Sequence, residues 1–267
     1  MTFAAELAVA RHAAEQAGRI IAARWDQGVT PAYKGAVDLV TEVDLAAEAK
    51  IVQTLAQSFP ADHIVAEEGS GEGTEHAGDR TWFVDPLDGT TNFAHGFPHF
   101  CVSIALADAQ GLAVGVIHEP LRRWTFWATR GGGAWRDGQR LQVTAVDRLD
   151  RALLATGFPY DRHTNPDNNL DRFGAALTVA QGMRRAGSAA LDLAAVAAGW
   201  FDGYWEDRLK PWDLAAGALL VAEAGGRVTD LAGGPLDLST GRALAAGPAL
   251  HPHLLARLCQ ANRKEPR

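Results

Sequence analysis

Two aspartates three positions apart are the residues of this sequence best placed to do chemistry. Asp85 and Asp88 follow a short apolar run, residues 82–84, which predicts a buried strand. Pro86 fixes its own φ and disfavours a helical conformation at the residue before it, so we expect the strand to stop at Asp85. The small residues after Asp88 offer backbone N–H groups. A loop of this kind suits hard cations and the close approach of a phosphate group.

Two more acidic residues stand where one predicted element gives way to the next. Glu67 follows the apolar run 64–66, and Asp213 lies between Pro211-Trp212 and an apolar helical stretch. Each carboxylate has an ordinary alternative: Asp213 as a helix N-cap, Asp88 as a turn residue, and Glu67 as half of a solvated acidic pair. Considered together, carboxylates with no soft ligand among them favour a Mg²⁺ site.

A second stretch of small residues, 187–190, precedes a helix that we predict from Leu191. The start of that helix could accept an anion or a polar group of a substrate. Equally, Ser188 could be an ordinary N-cap. The sequence does not separate these two interpretations.

The sequence patterns around these residues predict both helices and strands, and therefore a mixed α/β fold. Helical patterns predict helices over residues 3–25, 44–58, 168–181, 191–198, 213–224 and 250–260. Strand patterns predict strands over residues 64–66, 82–84, 101–107, 113–118, 124–128 and 153–156, with a further hairpin at Gly138. The polar, Gly-rich stretch 69–79 predicts a loop.

Length, charge and cysteine content narrow the class of protein. The 267 residues predict one compact domain, with an N-terminal half of about 1–145 and a C-terminal half of about 146–267. The net charge of −7 argues against non-specific binding to nucleic acid. Two cysteines, Cys101 and Cys259, make neither a disulfide framework nor a zinc site, which is typical of a reduced cytoplasmic protein. No apolar run reaches the roughly 18 residues that predict a membrane span.

Four blocks of the sequence resemble the inositol monophosphatase family. They are residues 38–44, 66–68, 82–93 and 187–217. The string Asp-Pro-Leu-Asp-Gly-Thr-Thr-Asn-Phe in the third block is highly specific, and the order and spacing of all four blocks fit. The resemblance implies a layered αβαβα sandwich of the inositol monophosphatase and fructose-1,6-bisphosphatase type, usually homodimeric. It also implies Mg²⁺-dependent, Li⁺-sensitive hydrolysis of a phosphomonoester.

The resemblance further implies roles for individual residues. The metal ligands, holding two or three Mg²⁺ ions, would be Glu67, Asp85, the main-chain carbonyl of Leu87, Asp88 and Asp213. The substrate contacts would be Asp88, Gly89 and Thr90 for the phosphate, and Gly187, Ser188, Ala189 and Glu206 for the alcohol. The attacking water would be held with the help of Glu67 and oriented by Asp44 and Thr90.

The substrate that the resemblance favours is an inositol monophosphate. Residues 91–93, Thr-Asn-Phe, are similar to inositol monophosphatases, whereas nucleotide-type relatives tend to have Lys-Glu-Phe. Histidinol phosphate and a bisphosphate are alternatives. A bisphosphate would need a second anion site, which Arg208 or Lys210 could supply unless both are solvated surface charges. The non-enzyme alternative is a partner of the transcription antitermination machinery, a role of some bacterial relatives with a stretch similar to residues 184–193.

Overall fold

The computed structural model describes residues 3–25, 27, 32–33, 39–40, 42–69 and 79–261. Most of the loop predicted over residues 69–79 therefore lies outside the described residues. The described helices are α1 (Ala4–Trp25), α2 (Glu42–Ser58), α3 (Thr90–Ala94), α4 (Leu170–Leu177), α5 (Ala189–Ala197), α6 (Pro211–Glu223) and α7 (His251–Ala261). No helix in these ranges is long and apolar enough to cross a membrane.

The strands form two sheets and a short antiparallel pair, β1 (Ala32–Tyr33) with β2 (Leu39–Val40). The larger sheet has its strands in chain order: β3 (His63–Ala66), β4 (Thr81–Asp88), β5 (Cys101–Asp108), β6 (Gly111–Glu119), β7 (Trp124–Thr129), β8 (Gly133–Arg136) and β9 (Gln139–Arg140). The smaller sheet contains β10 (Leu153–Thr156), β11 (Gly182–Arg184), β12 (Gly203–Glu206), β13 (Arg227–Thr229) and β14 (Ala243–Ala246). Its spatial order is β11-β10-β12-β14-β13.

Helices and sheets stack in five layers. Helices α1 and α2 pack on the outer face of the larger sheet through a core that includes Ile21 and Ile51. Helices α5 and α6 fill the space between the two sheets, and α4 and α7 cover the other face of the smaller sheet. The layered αβαβα architecture expected from the resemblance is confirmed.

The middle layer is tightly packed because small residues face each other there. Gly115 of β6 lies so close to α6 that a β-carbon built on it would be 2.8 Å from the carbonyl oxygen of Ala216 and 3.0 Å from its Cα. Both atoms belong to the backbone of a buried helix, so they cannot turn aside as a flexible side chain would. Gly217 leaves room for Leu193 of α5 in a similar way. The distance between α6 and the larger sheet therefore depends on glycine at position 115.

Several boundaries differ from those predicted. The helix expected over 168–181 ends at Leu177, because the chain then pairs as β11 with β10. Helix α6 begins at Pro211 rather than Asp213, since proline is well accommodated in the first turn. The other helices and most predicted strands are present with shifts of a few residues at most. Strand β4 is the exception, because it continues to Asp88. Strands β11 to β14 have only three or four residues each, too few for an alternation to be visible in the sequence.

Candidate active site

Parallel pairing brings Glu67 beside Asp85. Strands β3 and β4 are parallel with Ala66 opposite Val84, so the next residue of each strand lies at the same edge of the sheet. The Glu67 N–H continues this pairing by donating to the Val84 carbonyl at 3.1 Å. Glu48 of α2, a fully buried carboxylate, then accepts the N–H of Glu68 at 2.6 Å. The turn that carries Glu67 is thus fixed from both sides.

A β-bulge places Asp85 and Asp88 on one cavity, and it overturns the prediction that the strand ends at Asp85. Strand β4 continues to Asp88, but Asp85 pairs with Ser103 and Asp88 with Cys101, so three steps on β4 match two on β5. Side chains three apart on a regular strand point to opposite faces, and the extra residue restores them to the same side. Pro86 is tolerated because a bulged residue needs no ladder hydrogen bond.

Thr90 connects the end of β4 to helix α2. Its hydroxyl lies within hydrogen-bonding distance of two acceptors, the Leu87 carbonyl at 2.9 Å and Asp44 Oδ1 at 3.1 Å. Asp44 is fully buried in the first turn of α2. Gly89 precedes Thr90 with φ 97°, a left-handed conformation that favours glycine. A threonine hydroxyl held by a buried carboxylate can orient a small polar molecule.

The start of α5 is both capped and bound to an anionic group, so the two interpretations of residues 187–190 combine. Ser188 is the N-cap and accepts the Leu191 N–H at 3.3 Å. The same hydroxyl donates to Asp88 Oδ2 at 2.6 Å, and the Ala190 N–H donates to that oxygen at 2.7 Å. Helix N-termini stabilise negative charge. Helix α5 therefore holds the Asp88 carboxylate in place.

Asp213 reaches the site from the first turn of α6. Its Oδ2 accepts the Lys210 N–H at 2.7 Å. Lys210 is the N-cap of α6, so Asp213 is not the N-cap but the third residue of the helix. The hydroxyl of Ser103 in β5 donates to the Trp212 carbonyl at 3.0 Å. This bond ties the start of α6 to the larger sheet.

These residues surround one cavity of ≈ 460 Å³, a volume typical of small-molecule sites. It is lined by all but one of the residues that the sequence singled out: Glu67, Asp85, Leu87, Asp88, Gly89, Thr90, Gly187, Ser188, Ala189, Glu206 and Asp213. The exception, Asp44, lies behind Thr90. Within the described ranges, no three His, Cys, Asp or Glu side chains already form a chelating group. Several carboxylate oxygens hold backbone donors instead, as Asp85 Oδ1 does with the Leu87 N–H at 2.9 Å.

The electrostatics of the cavity favour a positively charged occupant. Burial, followed by the charges of Glu67 and Asp88, raises the pKa of Asp85 well above its usual value. Burial and the charge of Asp88 do the same to the pKa of Asp213. Like charges confined in this way repel each other unless a cation lies between them. Their oxygen donors suit a hard divalent cation, so the residues present fit Mg²⁺ chemically.

Glu206 and Arg208 also line the cavity. Burial raises the pKa of Glu206 to about 7, although the Tyr204 hydroxyl donates to its Oε2 at 2.6 Å. Arg208 forms an ion pair with Asp161 and donates to the Asp167 carbonyl at 2.9 Å. The guanidinium is therefore not simply a solvated charge, and a second phosphate group would have to compete with Asp161 for it.

Sequence reasoning missed three residues that line the cavity, Gly157, Arg185 and Asp192, and the buried Tyr204 that holds Glu206. One of them carried a visible signal. Helix α5 reads Ala-Ala-Leu-Asp-Leu-Ala-Ala-Val-Ala, and Asp192 is its one polar residue. A single carboxylate in a helix that is otherwise apolar and buried indicates a specific task for that carboxylate.

Comparison with known proteins identifies the class of enzyme that has this fold. The solved structure of an inositol monophosphatase from Anabaena (Nostoc) sp. PCC 7120 superposes with a TM-score of 0.89 at 41% identity, covering 97% of each chain. The fold and its acidic cavity are those of a phosphoric monoester hydrolase. A model of the inositol monophosphatase family matches residues 4–264. The chain belongs to that family, as the four sequence blocks predicted.

Curated relatives carry two kinds of name. Inositol-1-monophosphatase of Synechocystis sp. PCC 6803 is 45% identical over 249 residues, covering 93% of this chain and 86% of the relative. Nus factor SuhB of Escherichia coli K12 is 44% identical over 255 residues, covering 94% and 95% of the two chains. The chain is thus similarly related to a protein named for an enzymatic activity and to one named as a Nus factor.

Proposed function

We propose that the protein is a Mg²⁺-dependent inositol-1-monophosphatase that acts as a homodimer. The observation that carries the proposal is the convergence of Glu67, Asp85, Asp88 and Asp213 on one cavity. These residues come from three separate parts of the chain, the turn after β3, strand β4 and helix α6, and a structural role for any one of them would not require the others. The 45% identity to a cyanobacterial inositol-1-monophosphatase supports the choice of substrate.

The proposed metal ligands are Glu67, Asp85, the Leu87 carbonyl, Asp88 and Asp213, which would hold two or three Mg²⁺ ions. When bound, such ions lower the pKa of a water molecule and neutralise charge that develops on the phosphoryl group. The protein already holds two of these carboxylates in place. Asp88 is anchored by α5 and Asp213 by the backbone of its own helix. A site fixed in this way loses little entropy when it binds its ligands.

The other residues orient the reactants. Thr90, backed by Asp44, would align the attacking water, since its hydroxyl already lies 3.1 Å from Asp44 Oδ1. Backbone N–H groups at Gly89 and Thr90 would complement the phosphoryl oxygens. Gly187, Ser188, Ala189 and Glu206 also line the cavity, and we assign them to the alcohol. Glu206 would accept hydrogen bonds from its hydroxyl groups, as carboxylates do in polyol sites.

A phosphate-release panel tests this function. Inositol 1-phosphate should give the highest kcat/KM when compared with histidinol phosphate, fructose 1,6-bisphosphate and 3′-phosphoadenosine 5′-phosphate. EDTA should abolish release and Mg²⁺ should restore it, because the carboxylates alone cannot stabilise a phosphoryl anion. Millimolar Li⁺ should inhibit. Preference for another member of the panel would overturn the substrate, and full activity in EDTA would overturn the role of the metal.

A second function is favoured by the 44% identity to Nus factor SuhB. We propose that the chain can also bind bacterial transcription factors through its outer surface, independently of catalysis. Tagged wild-type protein and an Asp85→Asn variant should then capture RNA polymerase and its elongation factors equally well, since the substitution lies inside the cavity. If wild-type protein captures no RNA polymerase and no elongation factor, this second function is contradicted. The proposed phosphatase activity would not be affected by that result.

A further inference from the structure

An acidic side chain that the mechanism above does not use lines the alcohol part of the cavity. Asp192, in the first turn of α5, is only 2% exposed. Within the described residues its Oδ1 is buried without a hydrogen-bond partner. Leaving a buried polar atom unpaired costs about 1–3 kcal/mol, and most such atoms in native proteins are paired. A donor on a molecule bound in the cavity would remove that cost.

The position of Asp192 on α5 directs its side chain to the cavity that Glu206 also lines. Asp192 follows Ser188 by four residues, so the two side chains lie on the same face of the helix. Ser188 is held against Asp88, which fixes how that face is turned. Asp192 and Glu206 both line the cavity, and Glu206 is close enough for its charge to raise the pKa of Asp192.

Glu206 is fixed in place, so it can act with Asp192 as a defined pair. The Tyr204 hydroxyl donates to Glu206 Oε2 at 2.6 Å. On its other side, a β-carbon built on Gly157 would be 2.0 Å from Oε2 and 2.1 Å from Oε1, so the carboxylate is packed directly against the Gly157 backbone. A fixed carboxylate and a second buried carboxylate on the same cavity can select a ligand that has two donors.

Arg185 also lines the cavity. Burial, followed by the charge of Glu206, raises the pKa of Asp192 well above its usual value, and burial raises the pKa of Glu206 to about 7. The Arg185 guanidinium opposes both shifts only in part. A carboxyl group can accept a hydrogen bond from a neutral hydroxyl whether or not it is protonated, so the pair suits the hydroxyl groups of a polyol.

We propose that Asp192 is a specificity-determining residue that accepts a hydrogen bond from one hydroxyl of the leaving alcohol, beside the hydroxyl bound by Glu206. The substrate class is then a phosphomonoester of a polyol with at least two free hydroxyls on the alcohol. This inference rests on the proposed function and specifies the alcohol that the site selects.

Two substrates of the same ring size test the inference, inositol 1-phosphate and cyclohexyl phosphate, which lacks every ring hydroxyl. Replacing Asp192 with alanine should lower kcat/KM for inositol 1-phosphate by about 10- to 100-fold, because the substrate hydroxyl that it binds is left buried without a partner. The value for cyclohexyl phosphate should change by less than about 2-fold, because that substrate never makes the bond. Asp192→Asn, which keeps the size and one acceptor oxygen, should give a smaller loss and serves if the alanine variant does not fold.

Asp202→Asn is the matched control. Asp202 is also a buried aspartate, but it accepts the Thr144 hydroxyl at 2.6 Å and the Leu153 N–H at 2.7 Å outside the cavity. Its substitution should lower the unfolding temperature and leave the ratio of the two kcat/KM values unchanged. Equal losses on both substrates in Asp192→Ala, or no loss on either, would overturn the role of Asp192. A wild-type enzyme that does not prefer inositol 1-phosphate would overturn the proposed function itself, and this is measured before any variant is made.

Discussion

Asp85→Asn should remove nearly all phosphatase activity while leaving the fold intact. The drop in kcat/KM in saturating Mg²⁺ should exceed about 100-fold, because losing even a group that only supports a metal ligand costs 10- to 100-fold. Asparagine has the same shape, and its amide oxygen can still accept the Leu87 N–H. Phosphate release and circular dichroism measured on the same preparation test both parts of this prediction.

The stability of this variant gives an independent check. Asp85 is buried among like charges, so the neutral side chain should not lower the midpoint of thermal unfolding in EDTA. Asp202→Asn again provides the control, since it replaces a buried carboxylate that holds two protein donors and should be less stable yet active. Wild-type turnover in Asp85→Asn would show that Asp85 is not a metal ligand.

Gly115→Ala should markedly lower the stability of the protein by overpacking the middle layer. The new β-carbon would meet the backbone of Ala216 at 2.8 Å, so α6 or the larger sheet must move. Overpacking of this kind typically costs about 1–3 kcal/mol in the free energy of unfolding. Activity should fall too, because α6 carries Asp213 in its first turn. Urea denaturation and phosphate release measure the two effects.

Gly174→Ala is the matched glycine substitution. Gly174 lies in α4, and a β-carbon there would have no atom within 4 Å. Alanine should therefore stabilise the protein by about 0.4–1 kcal/mol, chiefly by restricting the unfolded chain. A Gly115→Ala protein that unfolds at the same urea concentration as wild type would show that the contact between β6 and α6 is not rigid.

The acidic residues of the site could be predicted from the sequence because their chemistry depends on residue type and on position at the ends of elements. Glu67 and Asp85 each follow an apolar strand, and parallel pairing is enough to bring such residues together. Their assignment as metal ligands stays a prediction, as does the organisation of the chain as one domain. The layered fold was predicted from the family resemblance, since composition and periodicity alone did not specify a topology.

Other parts of the site depend on geometry that the sequence does not display. The bulge that turns Asp85 and Asp88 to one side is set by pairing with β5, so a prediction from Pro86 alone ended the strand too early. The contact of Asp88 with the start of α5 joins residues one hundred positions apart. Asp192 was overlooked because the family motif provided a complete set of roles without it.

The bonds of Asp88 to Ser188 and Ala190 have a consequence for synthesis on the ribosome. The nascent N-terminal half carries Asp85 and Asp88, but the groups that hold Asp88 and the helix that carries Asp213 emerge much later. Until α5 has been translated, Asp88 lacks the groups that hold it. With Asp213 as a proposed metal ligand, catalytic competence requires translation of α6 as well.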